Sequence, residues 1–278
     1  MTGKYHLAKV KPTIDVLPNQ AFGAGDVLFD WYAFEIPRGV CKLTTLNVIV
    51  PGTDTAAAAG IDMELFFATS VDGAAPPSLG DPNDAITKIK ATACKNHIIG
   101  HKYLDASVME NSDELVSFNI WTNTLGNATA TTDAAVVDMI LEGDSTFDGK
   151  QGDSTHRATT KGYQTIWVAA LTVGTPNHGT GVLLDGAITS GNAGAQTLDV
   201  SEDQDADDVF AIGDELLACA SNGTSVQKIG TITALTADTI TIDAKDIFGS
   251  SVLSSGALAD DDEICFRRPF TFNLGFEY

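Results

Sequence analysis

The sequence predicts an all-β protein, an antiparallel β-sandwich of jelly-roll type carrying an inserted, small, acidic β-barrel-like module. Three observations predict it. Helical periodicity is nearly absent from the 278 residues. In its place recur short apolar or alternating runs rich in Val, Ile, Phe, Tyr and Thr and bounded by Gly, Pro, Asn and Asp, which is the strand signature. Between residues 174 and 263 the composition then shifts, with few aromatics and many acids.

Residues 1–20 carry Lys4, Lys9, Lys11, Pro12 and Pro18 and form the one locally basic stretch. They read as an extended N-terminal arm, either packed on a neighbour or a disordered terminus. Residues 21–173 together with 264–278 supply the sandwich, with strands expected at 27–36, 42–50, 61–69, 115–121, 134–142 and 163–173, and 266–276 closing the series. Around Val136 to Leu141 a short helix fits as well as a strand, because period and length allow both. In the last run Phe270, Phe272, Leu274 and Phe276 share one face and Thr271, Asn273 and Gly275 the other, as a half-buried strand requires.

Residues 174–263 form the insert, which opens on the punctuated linker TPNHGTG. It holds 16 acidic residues against Lys228 and Lys245, so −14 of the chain's formal −21 sits in this third. Loops between strands tolerate such insertions, since both ends return to one scaffold. A weak internal duplication is visible. GAITSGNAGAQTLDV (186–200) lies on GTITALTADTITID (230–243), and IGDELLAC (212–219) on DDDEICF (260–266), with the offset drifting from 44 to 48 residues. The duplication predicts a pseudo-symmetric barrel of about six strands.

The charge narrows the function. A formal −21 repels nucleic acid and anionic membranes alike, so neither is an expected partner. The start, MTGKYHLAKVKPTID, lacks the apolar core of a signal peptide, and no run reaches 18 consecutive apolar residues. Cys41, Cys94, Cys219 and Cys265 lie in or beside apolar segments and read as buried, reduced thiols of a protein folded in a reducing cytoplasm.

Reactive constellations are sparse. His97 and His101 would share a helix face and could hold a metal there, but Ile98 stands where a zinc protease needs glutamate. The isoleucines and glycine between them favour a strand and turn. Asp203, Asp205 and Asp207 occupy the first, third and fifth positions of a calcium loop and are the stronger metal candidate. Asp208 replaces the turn glycine and Asp214 the bidentate glutamate, so a solvated acidic loop is the competing reading. Asp62 and Glu64 fall on the solvent face of a strand, opposite Met63 and Leu65. Trp31, Trp121 and Trp167 lie inside expected strands, where packing competes with a sugar-stacking platform. Nucleophile elbow, phosphate-binding loop and dinucleotide fingerprint are all missing. No enzyme activity and no cofactor are expected.

The opening KVKPTIDVLPNQAFGAGDVLFDWYAFEIPRG, the stretch GTDTAAAAGIDMELFFATSVDG and the terminal FTFNLGFEY resemble, in style, virion structural proteins of tailed bacteriophages of marine or cyanobacterial type. Within that class the chain is similar to capsid decoration or cement proteins. The resemblance implies a homo-oligomer, a trimer before other states, that binds the major capsid protein on the outside of an icosahedral shell and resides in the virion. A tail tube or baseplate component and a non-catalytic carbohydrate- or surface-binding module are the alternatives.

Overall fold

A computed structural model of the chain describes residues 3–14, 22–51, 62–70, 75–86, 97–105, 110–112, 115–121, 139–143, 162–174, 181–188, 195–219, 226–243 and 258–278. Sixteen strands lie among them: β1 (Tyr5–Val10), β2 (Val27–Pro37), β3 (Cys41–Pro51), β4 (Met63–Ala68), β5 (Ile98–Leu104), β6 (Glu110–Ser112), β7 (Leu115–Trp121), β8 (Met139–Leu141), β9 (Tyr163–Thr172), β10 (Val182–Leu183), β11 (Ala195–Asp199), β12 (Glu215–Cys219), β13 (Gln227–Leu235), β14 (Thr239–Asp243), β15 (Glu263–Phe266) and β16 (Thr271–Glu277). A single helical turn, α1 (Ala206–Val209), follows β11. Every strand pair among the described residues is antiparallel, as the sequence predicts.

Two sheets make the sandwich. The first has the order β1-β16-β3-β7-β6, with β8 also pairing β3; the second is β2-β9-β4-β5. Alternation places Phe272, Leu274 and Phe276 inside, where they meet Leu46, Val48, Leu65, Phe67, Ile166 and Val168 in one core. Phe34 packs against Phe67 (6.5 Å between ring centroids) and Phe276 (6.2 Å), and Phe29 against Phe272 (5.6 Å), so aromatic rings bridge the two sheets. The corners are tied as well. On one side His6 of β1 donates to the Glu35 carbonyl of β2 at 3.2 Å. On the other, Gly100 of β5 lies so close to Met139 of β8 that a side chain there would collide with the sulfur.

Two sequence expectations are revised here. Residues 5–10, expected within an extended arm, form β1 and pair with β16 from Tyr5↔Glu277 to Val10↔Phe272. Lys9 and the flanking Lys4 and Lys11 hide the strand: YHLAKV buries only Ala8 and Val10, and Lys9 faces out. The run 266–276 is two strands in different sheets. Arg267, Arg268 and Pro269 break it, leaving β15 in the insert and β16 in the sandwich. Within the expected strand 134–142, residues 139–141 form β8, and the remainder up to 138 lies outside the described residues.

The insert is a six-stranded sheet, β10-β15-β12-β13-β14-β11, with its own core of Leu198, Leu216, Ile229, Ile232, Ile240, Ile242 and Ile264. A bridge between Leu184 and Val200, flanked by Asp185 N–H to Asp199 O (2.8 Å) and Ser201 N–H to Leu183 O (3.0 Å), joins the last strand to the first. The sheet therefore closes on itself and hides its edges. Hydrogen bonds in the barrel repeat 48 residues apart (184 to 232, 211 to 259, 214 to 262). The Asp214 carboxylate accepts from Ala211 N–H at 2.9 Å, and Asp262 from Ala259 N–H at 2.7 Å. Ile232 N–H donates to Asp214 O, and Leu184 N–H to Asp262 O, both at 2.9 Å. Gly213 (φ 98°) and Asp261 (φ 65°) occupy matching left-handed turn positions. Exchanging β10 with β13, β11 with β14 and β12 with β15 maps the ring onto itself, which is the relation a duplicated half-barrel requires.

Candidate interaction surfaces

Apolar exposure is concentrated on the sandwich. Among the described residues the exposed large apolar side chains are Tyr5, Leu7, Val40, Ile140, Ile212 and Tyr278, and only Ile212 belongs to the barrel. Strand pairing brings the sandwich members to one region. Tyr5 and Leu7 lie on β1, Tyr278 follows β16 and pairs back to Lys4, and Ile140 on β8 sits opposite Lys42 of β3. Tyr5 (74% exposed), Leu7 (65%) and Ile140 (65%) are far more accessible than a folded monomer needs. The four strands β1, β16, β3 and β8 carry one acid, Glu277, against Lys9 and Lys42. In a chain of formal charge −21 this face is close to neutral.

The barrel is the opposite kind of surface. Asp185, Asp199, Glu202, Asp203, Asp205, Asp207, Asp208, Asp238, Asp243, Asp260 and Asp261 are exposed. Other acids are built into the fold. Glu263, buried, accepts from Gly181 N–H at 3.1 Å. Glu215 holds Arg267 at 2.9 Å and Arg268 at 3.3 Å, where the chain leaves β15 for β16. Arg267 N–H also donates to the Glu215 carbonyl, and Ile14 N–H to the Arg267 carbonyl, so this joint ties barrel to sandwich.

Asp203, Asp205 and Asp207 are exposed and straddle the start of α1. Asp205 sits at its N-terminus and Asp207 inside its one turn, while Asp203 precedes both. A turn of helix at this point differs from the inward-facing loop in which a calcium site of this spacing gathers its ligands. Among the described residues no group of three or more His, Cys, Asp or Glu side chains is arranged to hold a metal. His101 projects from β5, with its ring 4.8 Å from Phe66 and 3.8 Å from Glu64, and His97 lies in the turn before that strand. Strand geometry thus removes the shared face that a helix would have given the two histidines. Glu64 faces outward between buried Met63 and Leu65, as alternation predicts.

Tyr103, paired with Glu64, has its phenol pKa raised by partial burial and by the charges of Asp62, Asp105 and Glu64. Trp167 is buried, with its indole N–H on Ser70 Oγ at 3.0 Å, and half-buried Trp31 donates to Pro77 O at 2.9 Å. Neither offers an open stacking platform; the side chain of Trp121 and all of Cys94 lie outside the described residues. Cys41, Cys219 and Cys265 are free and buried. Burial, reinforced by Glu263 and Asp262, pushes the Cys219 thiol up from 9.0 to about 12. Burial likewise raises Cys265, with Glu263 and Cys219 adding to it, and Cys41. Such thiols stay protonated and unreactive near neutrality.

The exposed apolar patch was missed in the sequence because it is spread over residues 5–7, 40, 140 and 278. Only strand order assembles it. The one local signal is the alternation of YHLAKV.

No family model matches the chain, and no curated protein matches it. Among solved structures it is similar to a chain of infectious bursal disease virus Gx strain, at 10% identity and a TM-score of 0.22, covering 99% of this chain and 40% of that one. The present chain thus spans well under half the length of that relative. It is also similar to a chain of Sulfolobus Turreted Icosahedral Virus (10% identity, TM-score 0.12, covering 99% of this chain and 91% of that one). A third similarity is to the major capsid protein P2 of Bacteriophage PM2 (10% identity, TM-score 0.10, 97% of each chain). Each is a weak, low-identity likeness.

Proposed function

We propose that this chain is a virion structural protein that binds the outside of an icosahedral capsid and reinforces contacts between capsomers, as a homo-oligomer and without catalytic activity or cofactor. One observation carries the reading: the two modules divide the surface between them. The sandwich keeps exposed apolar side chains on a nearly neutral face, whereas the insert holds −14 of the −21 charges. A sandwich so equipped makes contacts with the major capsid protein and with sister copies, and the acidic barrel stands in solvent. Crowded on a shell, like-charged barrels repel and keep particles dispersed. The mechanism is physical. Each copy adds buried area across a joint and binds only the assembled shell, so it raises the work of rupture. Many identical copies make a modest single-site affinity sufficient.

The test is co-sedimentation of the purified chain with genome-free shells and with their unassembled subunits. Binding to shells and not to subunits is expected. Binding to tails or baseplates in place of shells would transfer the chain to the tail, and retention on immobilised glycans without shell binding would favour the surface-binding alternative.

A further inference from the structure

From the register of the first sheet we infer that its outer face is a self-complementary docking surface whose occupant is a second copy of this chain. Strand pairing aligns Tyr5 with Glu277, Glu277 with Lys42 and Lys42 with Ile140, giving one row across β1, β16, β3 and β8. Directly paired residues point to the same side of a sheet, and Tyr5, Ile140 and Lys42 are each more exposed than the residue that follows, so this row faces outward. Read across the strands, the row is apolar, negative, positive, apolar.

Such a row complements itself. Consider a two-fold axis lying in the interface, parallel to the strands and midway between β16 and β3. It places Lys42 over Glu277 of the second copy, Glu277 over its Lys42, and Tyr5 over its Ile140. In the next row inward Thr45 pairs with Gly275, and its hydroxyl already fills the space that a side chain on that glycine would take, so the centre of the row presents a small, uncharged surface to the second copy. The contact is therefore isologous, the commonest arrangement of soluble homo-oligomers.

Charge selects this occupant over others. Two chains of −21 repel wherever acids meet, and these four strands bring one acid against two lysines. No barrel strand belongs to this face. The exposed Tyr5 and Ile140 also find apolar partners in each other there, whereas the barrel offers only Ile212 among its described residues.

Size sets the strength. β8 pairs with β3 only over Cys41–Leu43, so the patch is three strands wide over six residues with a fourth strand over three, and two copies bury roughly 600 Å² between them. This falls short of the roughly 1,200–2,000 Å² typical of stable complexes, so the free dimer is weak and concentration-dependent. Salt strengthens it, because screening relieves the net repulsion of two acidic chains more than it weakens two exposed ion pairs.

Sedimentation velocity on the full chain over a wide concentration range tests this, with Lys42→Glu and Glu277→Lys as variants. Circular dichroism establishes that both variants fold. Wild type is expected to shift from the 29.1 kDa monomer to twice that mass as concentration rises. Each variant alone opposes like charges twice across the two-fold and dimerises about tenfold or more weakly. In an equimolar mixture the introduced acid of one variant faces the introduced lysine of the other. The first variant's native Glu277 then faces the second's native Lys42, and the dimer is recovered. Because the pairs inside each mixed chain remain mismatched, recovery reports contacts between copies alone. A wild type that stays monomeric, a trimer, or a mixture no stronger than its components would overturn the inference. None of these outcomes bears on shell binding, which co-sedimentation reads separately.

Discussion

Replacing Phe272 by alanine separates the two modules energetically. Phe272 is 1% exposed, and its ring lies 5.6 Å from Phe29 and 6.2 Å from Phe270. Its removal takes away the ring's transfer free energy and opens a cavity that the rigid sheets cannot fill, costing about 3–5 kcal/mol. Against a typical domain stability of about 5–15 kcal/mol, that is a large fraction. The barrel has a separate core, and the Leu184–Val200 bridge closes it without help from the sandwich. Native-state hydrogen exchange read by peptide mass spectrometry resolves the two. Amides of β3, β9 and β16 should exchange faster by about two to four orders of magnitude, since about 1.4 kcal/mol is tenfold. Those of β12, β13 and β14 should keep their wild-type rates. If the barrel strands lose protection in step with the sandwich, the two cores fold as one unit and the closed-barrel account is wrong.

Three further predictions concern the insert and its joint. Asp214→Ala and Asp262→Ala each remove a carboxylate that accepts a backbone N–H, and each should lower barrel stability by about 1–2 kcal/mol in urea titration. The two carboxylates bond different turns and share no partner in these bonds, so the double variant should show the sum. Glu215→Gln leaves Arg267 and Arg268 facing a neutral amide and should cost about 1–2 kcal/mol, with less salt sensitivity than a fully exposed pair, because all three groups are partly buried. The thiols supply a pH dependence. Cys219 rises from 9.0 to about 12 on folding, so the unfolded state loses its proton first; stability is full below pH 9 and falls as pH climbs towards 12, measurable by thermal melts across that range. A thiol-specific reagent at pH 8 should accordingly leave native Cys219 and Cys265 unlabelled.

The parts of this fold that were legible in the sequence are those where burial alternates locally. β2, β3, β4, β7 and β9 appear within one or two residues of their expected limits, because each carries its own period-two pattern and turn residues at its ends. The turns at Asp214 and Asp262, which the sequence aligns through IGDELLAC and DDDEICF, carry the same backbone bonds, whereas Ile232 matches Leu184 in its hydrogen bond and not Ile188, the residue that laying 186–200 on 230–243 sets against it. What escaped was non-local. β1 looks like a basic tail until β16 pairs with it. β15 and β16 look continuous because the apolar run of EICF is followed closely by the alternation of FTFNLGF, and nothing nearby says that the two belong to different sheets. Asp203, Asp205 and Asp207 carry the carboxylate spacing of a calcium loop in the sequence, and the structure adds that residues 206–209 take a turn of helix there.

The chain is proposed to stand on the outside of a capsid with its barrel towards solvent. Immunogold electron microscopy of intact virus particles, using antibodies against exposed barrel segments such as residues 201–214, measures this directly. Gold distributed over the shell of unopened particles is the predicted result. Labelling confined to tails, or particles that carry none of the chain, would contradict it.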